Sequence, residues 1–168
     1  MNFKEEYQRK LMTADEAVKI IPNNSVVLTG IAGGQAVALV NAICRRQWEY
    51  EGVEIFYVVD VYGTEIKNLE PGSGVTADLN YPIVNRKFVQ AGGNFYTSPQ
   101  RFGDGAKIWA RDRRIATTMH LVSPMDEFGY FTFAVGSSYE LSAANIADQV
   151  LVQVSNGLPR PRGDNFVH

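Results

Sequence analysis

Three groups of residues have the types and spacing to do chemistry. The first is Gly30-Ile-Ala-Gly-Gly-Gln35, a glycine-rich exit from a β-branched run. Glycines just ahead of a helix leave backbone N–H groups open to an anion, and the helix dipole favours negative charge there. On that reading Gly30, Gly33 and Gly34 face a carboxylate or carbonyl oxygen, and Gln35 adds a side-chain hydrogen bond. The plainer alternative is a tight strand–helix turn with Gln35 facing solvent. The spacing is not Gly-x-Gly-x-x-Gly and no Gly-Lys-Ser/Thr occurs, so neither dinucleotide nor P-loop phosphate binding is indicated.

The second group, Asp60, Tyr62 and Gly63, ends the next apolar run. Tyr62 either walls a pocket or stands exposed on a loop, and Asp60 fits a turn cap better than a general base. The third is Ser123 and Asp126 with His120. A Ser/His/Asp triad needs His120 to meet Ser123, but positions three apart on a strand point to opposite faces. Ser123-Pro124, Asp126 and Gly129 read instead as a structural turn. Cys44 falls on the apolar stripe of a helix and reads as a core thiol. Arg101, Lys107, Arg111, Arg113 and Arg114 form a basic group that either meets phosphates or makes a solvated helix face. Two histidines and one cysteine do not make a His/Cys-rich metal site.

The elements that must position these residues follow from pattern. Thr13 with Glu16 is a capping box opening a helix over 14–21 that stops before Pro22. A strand over 25–30, an amphipathic helix over 36–49 and a buried strand over 53–59 make a βαβ unit, hence a parallel sheet with a right-handed crossover. Residues 63–105 carry little pattern, apart from a short strand expected over 85–91. A basic helix is expected over 106–114, a buried strand over 115–122 and an aromatic β run over 130–133. A helix over 138–147 and a strand over 149–154 follow, and 158–168 has no periodicity. The fold class is α/β, a mostly parallel sheet of about five to seven strands with helices on both faces. Residues 1–157 are expected to form one domain, with 158–168 starting a connection to a second domain or partner subunit.

The chain has 168 residues, 45% hydrophobic and 20% charged, which suits one globular core. A net charge of −2 gives no electrostatic case for nucleic acid or an anionic membrane. No apolar run approaches the roughly 20 residues of a membrane span, and the charged N-terminus has no signal-peptide character. A cytoplasmic protein is expected.

Three segments carry a family resemblance: Tyr7-Gln-Arg-Lys-Leu-Met-Thr-Ala-Asp-Glu-Ala17 through the glycine loop to Val40; Val122-Ser-Pro-Met-Asp-Glu-Phe-Gly-Tyr-Phe-Thr-Phe133; and Val152-Gln-Val-Ser-Asn156 with Pro159-Arg160 and Gly163-Asp164. In order and spacing they resemble the N-terminal half of the acetyl-CoA hydrolase/transferase family, which includes 4-hydroxybutyrate CoA-transferases. The resemblance is weakest over about 64–112. It implies the NagB/RpiA/CoA-transferase-like fold and acyl transfer between a CoA thioester and a free carboxylate, through a glutamyl-CoA thioester. Coenzyme A is then a substrate, and no cofactor is permanently bound.

The resemblance places the catalytic glutamate on a C-terminal half, and no glutamate here matches that motif. The chain is therefore expected to supply no catalytic residue of its own. It is expected to contribute the substrate side through Gly30, Ala32, Gly33, Gly34, Gln35, Asp60, Tyr62 and Gly63. An interdomain surface is expected at Gly136, Ser137, Ser138, Asn156 and Arg160. Implied partners are the C-terminal half or a separate catalytic subunit, acyl-CoA and a small carboxylate, in a homo- or hetero-oligomer. A hydrolase-type relative and a non-catalytic partner subunit remain as alternatives.

Overall fold

The computed structural model describes residues 2–112, 114–133 and 135–168. In chain order the elements are α1 (Phe3–Lys10), α2 (Ala14–Ala17), β1 (Val26–Thr29), α3 (Val37–Arg45), β2 (Val53–Val59), β3 (Val75–Tyr81) and α4 (Arg86–Gln90). Then come β4 (Phe95–Tyr96), α5 (Gly105–Asp112), β5 (Ile115–Val122), β6 (Phe131–Thr132), α6 (Glu140–Ile146), β7 (Gln149–Val154) and β8 (Phe166–Val167). Six strands form one parallel sheet in the order β4-β3-β2-β1-β5-β7. The α/β class and the parallel βαβ unit read from the sequence are thus observed.

Alternation along β2 divides the core between the two faces of the sheet. Ile55 and Tyr57 pack with Val40, Ile43 and Cys44 of α3, while Phe56 and Val58 pack with Trp109 of α5 and Tyr139 and Ala143 at α6. The Thr13–Glu16 capping box forms in both directions, at 3.3 and 2.9 Å.

Some elements differ from expectation. The strand expected over 85–91 is instead the helix α4. Asn85 turns its side chain onto Asp60 and its carbonyl accepts from the amides of Phe88 and Val89, which starts a helical turn. β3 falls in the stretch that carried little pattern, because Asp78 and Asn80 are poor strand formers. Both are buried, and both bond the backbone of Ser98. Helix α1 has no fully buried residue, and Phe3 and Tyr7 pack from it onto the body; Asn2 caps it by accepting from the amides of Lys4 and Glu5. α3 ends at Arg45, short of the expected 49.

Residues 158–168 return to the body. β8 pairs antiparallel with β6, and His168 packs edge-on against Phe3 and Tyr130.

Trp109 is 2% exposed, with ring centroids 5.3 Å from Phe56 and 4.9 Å from Tyr139, and its Nε1–H has no acceptor among the described residues. Trp109→Ala is expected to cost about 3–5 kcal/mol in urea unfolding. Trp109→Phe keeps an aromatic ring and loses no hydrogen bond among the described residues, so it should cost clearly less than Trp109→Ala. Equal losses in the two variants would refute this account of the packing.

Candidate functional site

The strand order reverses at β1. From β1 the chain builds outward through β2 and β3 to β4, then crosses back to place β5 on the other side of β1. An open parallel sheet holds its ligand crevice beyond the carboxyl ends of the strands at such a reversal. Here those ends are the loops after β1 and β5.

After β1 the chain makes a single 3₁₀ turn over Ala32–Gly34. Ala32 takes a left-handed φ of 45°, which reverses the chain at once. The turn lies so close to its neighbours that side chains are excluded. A Cβ on Gly30 would stand 2.2 Å from the Gly34 carbonyl oxygen, and one on Gly34 would stand 3.0 Å from the Gly136 Cα. The amides divide sharply. Those of Gly30, Ile31, Gly34 and Gln35 are bonded, to Met119 O, Glu140 Oε1, Ile31 O and Ala32 O. Those of Ala32 and Gly33 have no partner among the described residues, and both residues are only half-buried. Two adjacent free N–H groups at the crevice can donate to one oxygen.

The loop after β2 behaves differently. Asp60 is 3% exposed and accepts five hydrogen bonds. The donors are the amides of Tyr62, Gly63 and Thr64, the Thr64 hydroxyl and the Asn85 amide group. Asp60 is a turn cap, as its position suggested, and it takes up the amide of Gly63, a residue expected on the substrate side. Gly63 itself sits at φ 64° with open space around it. Tyr62 is 55% exposed, beside exposed Val61 and, across the Asn85–Asp60 bond, exposed Ile83 and Val84.

Gln35 is neither solvent-facing nor open to a substrate. It is fully buried, donating from Nε2 to the Val59 carbonyl at 2.9 Å and accepting at Oε1 from the Val61 amide at 3.2 Å. It thereby ties the β1 loop to the end of β2.

Of the residues expected at an interdomain surface, Gly136 is buried against Gly34. Ser137 donates to Phe133 O and accepts from Asn165, and Ser138 bonds Glu140. Asn156 is exposed. Arg160 is turned onto the chain itself, pairing with Asp126 and donating to the carbonyls of Pro124 and Tyr130.

Sequence reasoning missed Glu140. It is 1% exposed and bonds both the β1 loop and the start of α6. Its signal was present: Ser137 and Glu140 have capping-box spacing.

No triad forms. Ser123 accepts from the Thr132 amide and hydroxyl and donates to Pro124 O. His120 bonds Thr118 through Nε2 at 2.7 Å, and Thr118 in turn donates to Leu28 O, so Nε2 carries the proton. The buried Nδ1 has no partner among the described residues, and burial lowers the ring's pKa to about 3. Cys44 is a core thiol pushed up to about 12, chiefly by burial.

Of the basic group, Arg114 pairs with Asp148 and Arg101 with Asp104, while Arg113 lies outside the described residues. A shallow depression of about 280 Å³, lined by residues that include Lys19, Arg46 and Tyr50, is formed by the segments that precede β1 and β2. Among the described residues there is no acidic, His or Cys cluster able to hold a metal, and no helix long and apolar enough to cross a membrane.

The chain is similar to CoA-transferases. The chain is 31% identical to the 4-hydroxybutyrate coenzyme A transferase of Clostridium kluyveri, over 100% of this chain and 39% of that protein. The structure of RipA from Yersinia pestis superposes with a TM-score of 0.89 at 26% identity, covering 100% of this chain and 42% of that one. A 4-hydroxybutyrate CoA-transferase from Porphyromonas gingivalis shares the fold, with a TM-score of 0.72 at 21% identity over 99% of this chain and 38% of that one. No protein-family model matches. The chain thus spans about two-fifths of the length of these relatives, and it fits an N-terminal half. The resemblance read from the sequence is borne out.

His120 also yields a pH dependence. Its pKa drops from 6.5 in the unfolded chain to about 3 when folded. Between those values the unfolded state binds a proton that the folded state does not, so stability falls as pH falls, by up to about 1.4 kcal/mol per pH unit. Urea midpoints from pH 7 down to pH 5 should therefore drop less for His120→Gln than for the wild type. Parallel curves would show that His120 is not the group responsible.

Proposed function

We propose that this chain is one half of an acyl-CoA:carboxylate CoA-transferase and supplies the oxyanion side of a site completed by another half. The observation that carries this reading is the free amide pair of Ala32 and Gly33 at the reversal point of the sheet. The similarity to CoA-transferases supports it.

In this scheme a glutamate on the other half attacks the thioester carbonyl. The carbonyl oxygen takes up negative charge, and the Ala32 and Gly33 amides donate to it. Collapse expels CoA thiolate and leaves an acyl–glutamyl anhydride. The thiolate then attacks the glutamyl carbonyl, releasing the first carboxylate and leaving a glutamyl-CoA thioester. The incoming carboxylate attacks this thioester, expelling the thiolate and forming a new acyl–glutamyl anhydride, and the thiolate then attacks its acyl carbonyl, giving the new acyl-CoA and freeing the glutamate carboxylate. Tyr62 and Val61, with Ile83 and Val84 on the neighbouring loop, give an apolar rim suited to the acyl chain. Asp60 holds that rim in shape and does not move a proton.

The test has two arms. The purified chain alone should transfer no CoA from an acyl-CoA to acetate, because the attacking carboxylate is elsewhere. A pull-down from the source cell with mass spectrometry should identify the complementary half, and the reconstituted pair should be active. Transfer by the chain alone, or an inert pair, would sink the proposal. The exposed apolar rim should also drive association, so a clean monomer at high concentration in light scattering counts against this surface being an interface.

A further inference from the structure

We propose that Glu140 is a positioning residue: it decides which amides of the β1 loop are free to meet an oxyanion. This rests on the reading of Ala32 and Gly33 as the oxyanion donors.

Glu140 opens α6 but works across the molecule. Oε1 accepts from the Ile31 amide at 3.1 Å. Oε2 accepts from the Ser138 amide at 2.8 Å, the Ser138 hydroxyl at 3.3 Å and the Tyr139 amide at 3.0 Å. One buried carboxylate thus satisfies four donors from two loops, and no cation pairs with it among the described residues. The space for it is cut by two glycines. A Cβ on Gly34 would stand 3.0 Å from Oε1, and one on Gly136 would stand 2.7 Å from it.

The consequence for the site is directional. The Ile31 amide is drawn inward to Oε1, and Ala32 reverses the chain immediately afterwards. The next two amides, Ala32 and Gly33, are the ones left without a partner. Without the Ile31 bond the turn would keep its own Gly34–Ile31 and Gln35–Ala32 bonds but lose its anchor to the start of α6, and with it the direction in which the Ala32 and Gly33 amides face the crevice. The carboxylate is needed for this and not merely a polar group of the same shape. Both of its ends accept, whereas a glutamine has one oxygen and can serve only one of the two loops.

Amide hydrogen exchange and two-dimensional NMR of the full chain test this, with acetate as the probe. In the wild type the Ile31 amide should exchange slowly, and the Ala32 and Gly33 amides fast. Added acetate should shift the Ala32 and Gly33 resonances. In Glu140→Gln, Ile31 exchange should rise by at least about tenfold, and the acetate shifts at Ala32 and Gly33 should be lost. Resonances of β2 and β3 should stay in place. A variant that keeps Ile31 protected, or that binds acetate like the wild type, overturns the inference and leaves the oxyanion reading intact. A wild type in which Ile31 exchanges as fast as Gly33 also overturns it, and needs no variant to fold. A slow Ile31 with no acetate shift anywhere in the wild type would instead bring down the oxyanion reading, and this role for Glu140 with it.

Discussion

Two stretches of backbone far apart in sequence approach each other at Gly34 and Gly136, leaving no room for a Cβ between them. Much of the crevice follows from that contact. It allows the turn after β1 to lie flat against the start of α6, and it brings Glu140 within reach of Ile31. Tyr139, the residue before Glu140, sends its hydroxyl to the carbonyl of Thr29 at 2.7 Å while its ring packs on Trp109. The end of β1 is thus pinned by α6 on one face and, through Gln35, by the end of β2 on the other. A side chain at Gly34 or Gly136 would part these backbones, and the loop could not keep its shape.

The two loops at this edge have opposite solutions to the same problem. A strand that ends at the rim of a parallel sheet leaves amides that need acceptors. After β2 an internal acceptor is provided, since Asp60 gathers the amides of Tyr62, Gly63 and Thr64. After β1 the internal acceptor is Glu140, and it takes only Ile31. The β2 loop is therefore finished and can act only through its exposed side chains. The β1 loop is unfinished by two amides, and an unfinished loop is what an oxyanion can complete.

Much of the fold was legible because β1, β2, β5 and β7 are dense in β-branched and apolar residues, which fixes a strand whatever surrounds it. Where the chain uses polar residues inside the sheet, pattern failed. Asp78 and Asn80 of β3 are buried because Ser98 supplies their partners, and that pairing spans a loop. Phe88-Val89 looks like a strand, yet Asn85 starts a helix there because its side chain is held by Asp60, 25 positions earlier. The glycine loop could be read from composition, and so could the cap role of Asp60. The burial of Gln35 could not, since its partners are backbone groups of a different strand.

Glu140 marks the limit of such reading most clearly. Its spacing from Ser137 suggests a local capping box, in which the glutamate would reach back to the N-cap amide. Its second oxygen does stay local, on Ser138 and Tyr139, while the first crosses to Ile31, 109 positions away. The capping box itself does not form, since Tyr139 is the N-cap and Ser137 bonds Phe133 and Asn165 instead, and only the sheet order makes the long-range bond to Ile31 possible. With β5 beside β1, the chain leaving β5 must pass over the exit of β1 before α6 can begin. The reversal in strand order therefore does two things at once: it opens a crevice, and it brings to that crevice the residue that sets which of its amides stay free.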